Sequence, residues 1–125
     1  MLLILLVGTG GFVGAVMRYL IESWADELLR GPSFPYGTIA VNLVGCLLIG
    51  LIAGLIETRQ MFGPEAQAFI LIGLLGGFTT FSAFGYETMT LARDGEPVAA
   101  MANIAVQVGI GLTAVWAGYS LSRLA

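Results

Sequence analysis

The run Gly76-Gly77-Phe78-Thr79-Thr80-Phe81-Ser82-Ala83-Phe84 sets two glycines, three hydroxyls and three phenylalanines inside a stretch, Ala68 to Met89, that is otherwise apolar enough to cross a bilayer. Within hydrocarbon every backbone N–H and C=O needs a partner, so residues that weaken a helix are tolerated there only where the chain is buried in protein or lines a cavity. A polar interruption at this depth points to a binding site or a pathway. The alternative is a kink whose freed backbone groups are satisfied by the hydroxyls of Thr79, Thr80 and Ser82.

Three more segments flank that run: Leu2 to Ile21, Tyr36 to Ile56 and Val98 to Leu121. Each has nearly the ~20 residues that a spanning helix needs. Of the 125 residues 58% are hydrophobic and only 10% charged, where a soluble domain would carry about 25% charged residues. The expectation is an all-α membrane protein, a single four-helix transmembrane domain over residues 1–125 with the third helix broken. A cleavable leader is the competing reading of the first segment. It lacks a basic start, and its apolar character runs on through Phe12, Val13 and Val16 to Arg18, longer than a leader's core; it is read as a mature helix.

The residue inventory narrows the chemistry. Histidine and lysine are absent, which removes histidine-ligated haem, the commonest metal ligand and any lysine Schiff base. The one cysteine, Cys46, sits mid-helix and forms neither an internal disulfide nor a multi-cysteine metal site. No enzyme is expected.

The arginines are informative by their placement. With both termini cytoplasmic, Arg59 and Arg123 lie inside and Arg18, Arg30 and Arg93 outside, two against three, so positive charge selects no orientation. Either the chain has a single topology with a weak signal, or it inserts both ways and opposite copies pair as an antiparallel dimer. The first connection, Glu22 to Phe34, carries apolar residues at 24, 28 and 29, and so either continues the first helix or lies along the interface, with Gly31-Pro32 and Pro35 stopping it. The second and third, Glu57 to Glu65 and Arg93 to Pro97, are short and hold clear turn residues.

Four helices leave little room for a pore among themselves, so a permeation path needs a second copy. Polar groups in spanning segments face protein rather than lipid, which makes them its candidate lining. Asn42 and Thr38 are four apart on one face of the second helix; an amide NH2 offers an anion two donors without a net charge, or makes an interhelical hydrogen bond. Phe81 and Phe84 share a face if the helix resumes after the break, and their positive ring edges suit a small anion. Glu87, one turn further, is either a carboxylate beside the pathway or an interfacial charge. Asn103 and Gln107 form a polar stripe in the fourth helix, continued by Gly111. Freed carbonyls near Gly76 to Thr80 are suited to a cation such as Na⁺.

Three motifs in order, Gly10-Gly11-Phe12-Val13-Gly14-Ala15-Val16-Met17-Arg18-Tyr19, Gly37-Thr38-Ile39-Ala40-Val41-Asn42-Leu43-Val44-Gly45 and the run 76–84, resemble the Fluc (CrcB-type) fluoride channels along essentially the whole chain. The resemblance implies an antiparallel, dual-topology homodimer in a bacterial or archaeal inner membrane. It also implies two fluoride pores, passive export of F⁻ and fluoride resistance. It assigns Asn42, Phe81 and Phe84 to the pore wall, with Thr80 and Ser82 on a hydroxyl track. Gly76 and Thr79 fall to a structural Na⁺, and Arg18 to electrostatics or packing near a vestibule. Where family members often carry hydroxyl residues on the fourth helix, this chain has Asn103, Gln107 and Gly111. A small dual-topology multidrug exporter is the rival reading, but it needs an acid deep in the first helix and Leu2 to Met17 has none. A structural subunit of a membrane complex leaves the third-helix run without a purpose. No nucleic-acid partner is expected.

Overall fold

The computed structural model describes residues 1–29 and 34–124, and in it the chain is all-helical. Four helices are long and apolar enough to span a membrane: α1 (Leu2–Leu28), α2 (Tyr36–Arg59), α3 (Pro64–Arg93) and α4 (Pro97–Leu124). At about 1.5 Å per residue each exceeds the roughly 30 Å of a hydrocarbon core. The first connection resolves in favour of helix continuation: α1 runs on past Glu22 and ends at Leu28. Ala25 is buried there, with Gly37 packed against the backbone of Glu22. Arg30, Gly31 and Pro32 lie outside the described residues.

Turn chemistry sets the other boundaries. α2 ends where Gln60 enters the left-handed region, and Pro64 opens α3 from its first turn, where a missing N–H costs nothing. Between α3 and α4 the chain reverses at Gly95, whose φ of +82° a side chain would resist.

Neither α3 nor α4 is regular throughout. α3 widens to π-helical geometry over Ala68–Leu75 and makes one more turn over Gly76–Phe78. It then leaves helical geometry at Thr79 (φ −86°, ψ 157°) and Thr80 (φ −148°, ψ 113°), before the helix Phe81–Arg93. α4 widens over Ala105–Ile110. Such wide turns occur mostly at functional sites.

Packing is by bare backbone along two seams. α1 lies against 68–78 of α3, where a Cβ at Gly14 would run into the Leu74 carbonyl and one at Gly77 into that of Gly11. α2 lies against Gly111–Leu124 of α4, with Gly50 on the Val115 carbonyl and Gly118 on that of Leu47. Small residues bring helices close enough for dispersion to hold them where lipid removes the hydrophobic drive. The fully inward apolar side chains are few, among them Val41, Leu75, Phe78 and Leu91, while Phe12, Ile72, Met101 and Trp116 stand outward. That is the surface of a chain whose solvent is hydrocarbon.

Candidate functional site

A cavity of about 340 Å³ opens between α2, α3 and α4 at the level where α3 loses its helical geometry. Its wall includes Asn42, Cys46, Gly76, Thr79, Thr80, Phe81, Phe84 and Gln107, and among the described residues no charged side chain lines it. The two widened segments flank it, Leu71 and Leu75 from one and Gln107 and Val108 from the other.

The extended pair is held by a side chain rather than by its own helix. Thr80 N–H donates to Asn42 Oδ1 at 2.8 Å, and Asn42 Nδ2 donates to the Thr80 carbonyl at 3.0 Å. One side-chain amide thus pairs with both backbone groups of one residue, as a neighbouring strand would. In a continuous helix the Thr80 N–H would reach the Gly76 carbonyl and the Ala83 N–H that of Thr79. Instead Ala83 N–H caps onto Thr80 Oγ1 at 3.2 Å, so the carbonyls of Gly76 and Thr79 both lose their helical donors. The Thr79 hydroxyl turns back to the Leu75 carbonyl at 3.0 Å, and Gly45 leaves room for its methyl group. The Gly77 carbonyl receives Arg18 Nε from α1 at 3.3 Å.

From Asn42 a directed relay crosses into α4. Its second N–H donates to Gln107 Oε1 at 2.6 Å, and Gln107 Nε2 to Asn103 Oδ1 at 2.9 Å. Asn103 Nδ2 continues to Thr88 Oγ1 at 2.9 Å, and that hydroxyl to the Phe84 carbonyl at 2.7 Å. Every amide accepts through oxygen and donates through nitrogen. Asn103 is wholly enclosed. A network in which each amide oxygen and nitrogen has a partner fixes geometry, because an unpaired member would cost about 1–3 kcal/mol.

The expected residues therefore fall into groups. Asn42, Thr79, Thr80, Phe81, Phe84, Gly76 and Gln107 meet at the cavity. Asn103 stands behind it as a support. Ser82 is exposed, 3.3 Å from the Thr80 hydroxyl. Thr38, one turn from Asn42, serves another level: its hydroxyl donates to Glu87 Oε1 at 2.6 Å, beside a smaller cavity of about 100 Å³ that Thr90 also lines. Glu87 Oε2, Thr90 Oγ1 and Glu22 Oε1 are enclosed without a hydrogen-bond partner among the described residues. Arg18 reaches the run 76–84 from outside the cavity.

Phe81 and Phe84 are neighbours, with ring centroids 5.4 Å apart and planes tilted by 57°. Their surroundings differ: Phe84 is 9% exposed and Phe81 80%. Thr88 was missed by sequence reasoning, although its place one turn beyond Phe84 marks it as a residue of the same face. Among the described residues no group of three or more His, Cys, Asp or Glu side chains is placed to hold a metal; a cation here would rely on backbone oxygen.

Comparison with known proteins completes the description. Residues 5–119 match the family described as "CrcB-like protein, Camphor Resistance (CrcB)". A Rhizobium etli protein named "Fluoride-specific ion channel FluC" is 45% identical over 119 residues, 95% of this chain and 94% of its own. Proteins with the same name are 43% identical in Rhizobium meliloti, over 96% and 95% of the two chains, and 37% identical in Clostridium novyi, over 99% and 96%.

Proposed function

The chain belongs to the CrcB family, and from that premise we propose that it is a fluoride-selective channel, working as an antiparallel, dual-topology homodimer with two pores. Its relatives carry the name of an ion channel and not of an enzyme. The observation that carries the reading is the cavity wall: two amides, two threonines and two phenylalanines set among apolar side chains, with no formal charge among the described residues. Neutral donors offset the lost hydration of a small anion without trapping it, as conduction requires. Phe81 and Phe84 add positive ring edges.

A second copy supports the rest of the reading. Phe81, Tyr86 and Ile72 of α3 are open on the outer side of the interruption, and a partner laid there would close the cavity into a pore. The balanced arginines suit a copy inserted the other way up. The orphaned carbonyls of Gly76 and Thr79 fit a hard cation, since Na⁺ prefers oxygen and these have lost their helical donors. Such an ion would supply positive charge that staples the two interruptions. Gly76 and Thr79 would hold it, and Asn42 would keep Thr80 extended so that they can.

Flow through the pore is passive and runs down the gradient. Neutral HF crosses lipid and ionises in a less acidic cytoplasm, so an anion leak across the inner membrane lowers the trapped ion and confers resistance. The test is loss of F⁻ from liposomes holding the purified protein, with the potential collapsed and Cl⁻ followed in parallel. Rapid loss of F⁻ alone is the expected result; retention of F⁻ by well-folded dimers would overturn the assignment.

A further inference from the structure

Both donors of Asn42 are already engaged before any ion arrives. One is committed to the Thr80 carbonyl as half of a two-point pairing that also fixes which way the amide faces, since a reversed amide would set its NH2 against the Thr80 N–H. The other donates to Gln107 Oε1, which stands at the cavity wall in the place an entering anion must take to reach that donor. Gln107 is tethered from behind through Nε2 to the enclosed Asn103. We propose that Gln107 is a built-in competitor, its carbonyl oxygen a neutral stand-in for the anion that must be displaced at each binding event and returns when the ion leaves.

The inference rests on the fluoride-channel reading and adds to it the residue that tunes affinity at that site. The physical reason is the cost of an empty donor: without Gln107, Asn42 would hold an unpaired N–H between ions, and the ion would then be bound too firmly. With the oxygen in place, the ion gains only the difference between a charged and a neutral acceptor. Binding stays weak enough for release, as a pore needs. Gln107 acts through Asn42 and is therefore a positioning residue for the pathway.

The test compares the fluoride dependence of flux in proteoliposomes for the wild type, Gln107→Met and Gln107→Glu, each first checked for a monodisperse elution profile. Gln107→Met keeps an unbranched side chain and removes the acceptor; the half-saturating fluoride concentration is expected to fall about fivefold, with a lower maximal flux, on the scale of one net hydrogen bond. Gln107→Glu strengthens the competitor and should raise half-saturation by about tenfold or more, as charged acceptors roughly double the bond. Opposite shifts support the competitor. A merely structural role would lower flux in both variants with half-saturation unmoved, and that result overturns the inference while leaving the channel reading intact. If Gln107→Met does not fold, Gln107→Leu, which also removes the acceptor without adding charge, decides by the same fall in half-saturation. A wild-type protein that passes no F⁻ sinks both readings together.

Discussion

α2 and α4 meet twice, and the two meetings are built on opposite plans. In one half Gly50, Gly54 and Gly118 let the backbones touch, with Ser122 enclosed against Gly54. In the other half Asn42 reaches Gln107 across a cavity, and α4 is wound wide over Ala105–Ile110. The close half leaves no space for adjustment, so it fixes where the open half stands. The lesson is that the amides need not hold the helices together, because the glycines already do.

The comparison breaks hardest if the close half is filled. Gly50→Leu places carbon in the Val115 carbonyl, and overpacking of this kind costs about 3 kcal/mol or more; folded protein in detergent should be lost on size exclusion even though the cavity is untouched. Next comes the contrast between the two rings. Phe84→Ala empties an enclosed position and should cost about 3 kcal/mol in a detergent unfolding titration. Phe81→Ala, open within one copy but covered by the partner in the proposed dimer, should change the stability of a single copy by less than about 0.5 kcal/mol, with its loss showing as weaker dimerisation and lower flux. Asn42→Leu sharpens the comparison from the other side, leaving Thr80 with both backbone groups unpaired, a loss of about 2 kcal/mol, with flux down by about tenfold or more at a loss of this size. Smallest of all is Arg93→Gln, which removes an exposed 3.1 Å pair with Asp94; unfolding should shift by less than about 0.5 kcal/mol, and flux should not change.

How much of this was legible beforehand follows from which interactions are local. Hydropathy reports the solvent of a segment, so all four spanning helices could be read directly. The run 76–84 announced its own irregularity through Gly76, Gly77 and the hydroxyls. The end of α1 was harder, because Trp24, Leu28 and Leu29 read equally as a continuing helix or an interfacial segment; the helix runs on to Leu28, with Ala25 beside Gly37. The wide turns of Ala68–Leu75 and Ala105–Ile110 were not read from the sequence, since neither segment holds a residue that marks a π-helical turn. Partner choice was the least legible. Spacing puts Thr38 and Asn42 on one face, but only the fold shows that Thr38 serves Glu87 and Asn42 serves Thr80. For Asn42 the sequence leaves open two donors offered to an anion or an interhelical hydrogen bond; within one copy both donors make interhelical bonds, to Thr80 and Gln107.

The pairing of Asn42 with Thr80 has a consequence for how position 42 varies. Aspartate would set a second acceptor against the Thr80 carbonyl, glutamine would overshoot it by a methylene, and a hydroxyl, though donor and acceptor at once, offers one atom where the pairing uses two. The letter at 42 is thus dictated by backbone geometry independently of any ion. A descendant of this chain would keep its asparagine for as long as it kept Thr79 and Thr80 extended, whether or not it passed any ion, so retention of that residue across relatives measures the architecture.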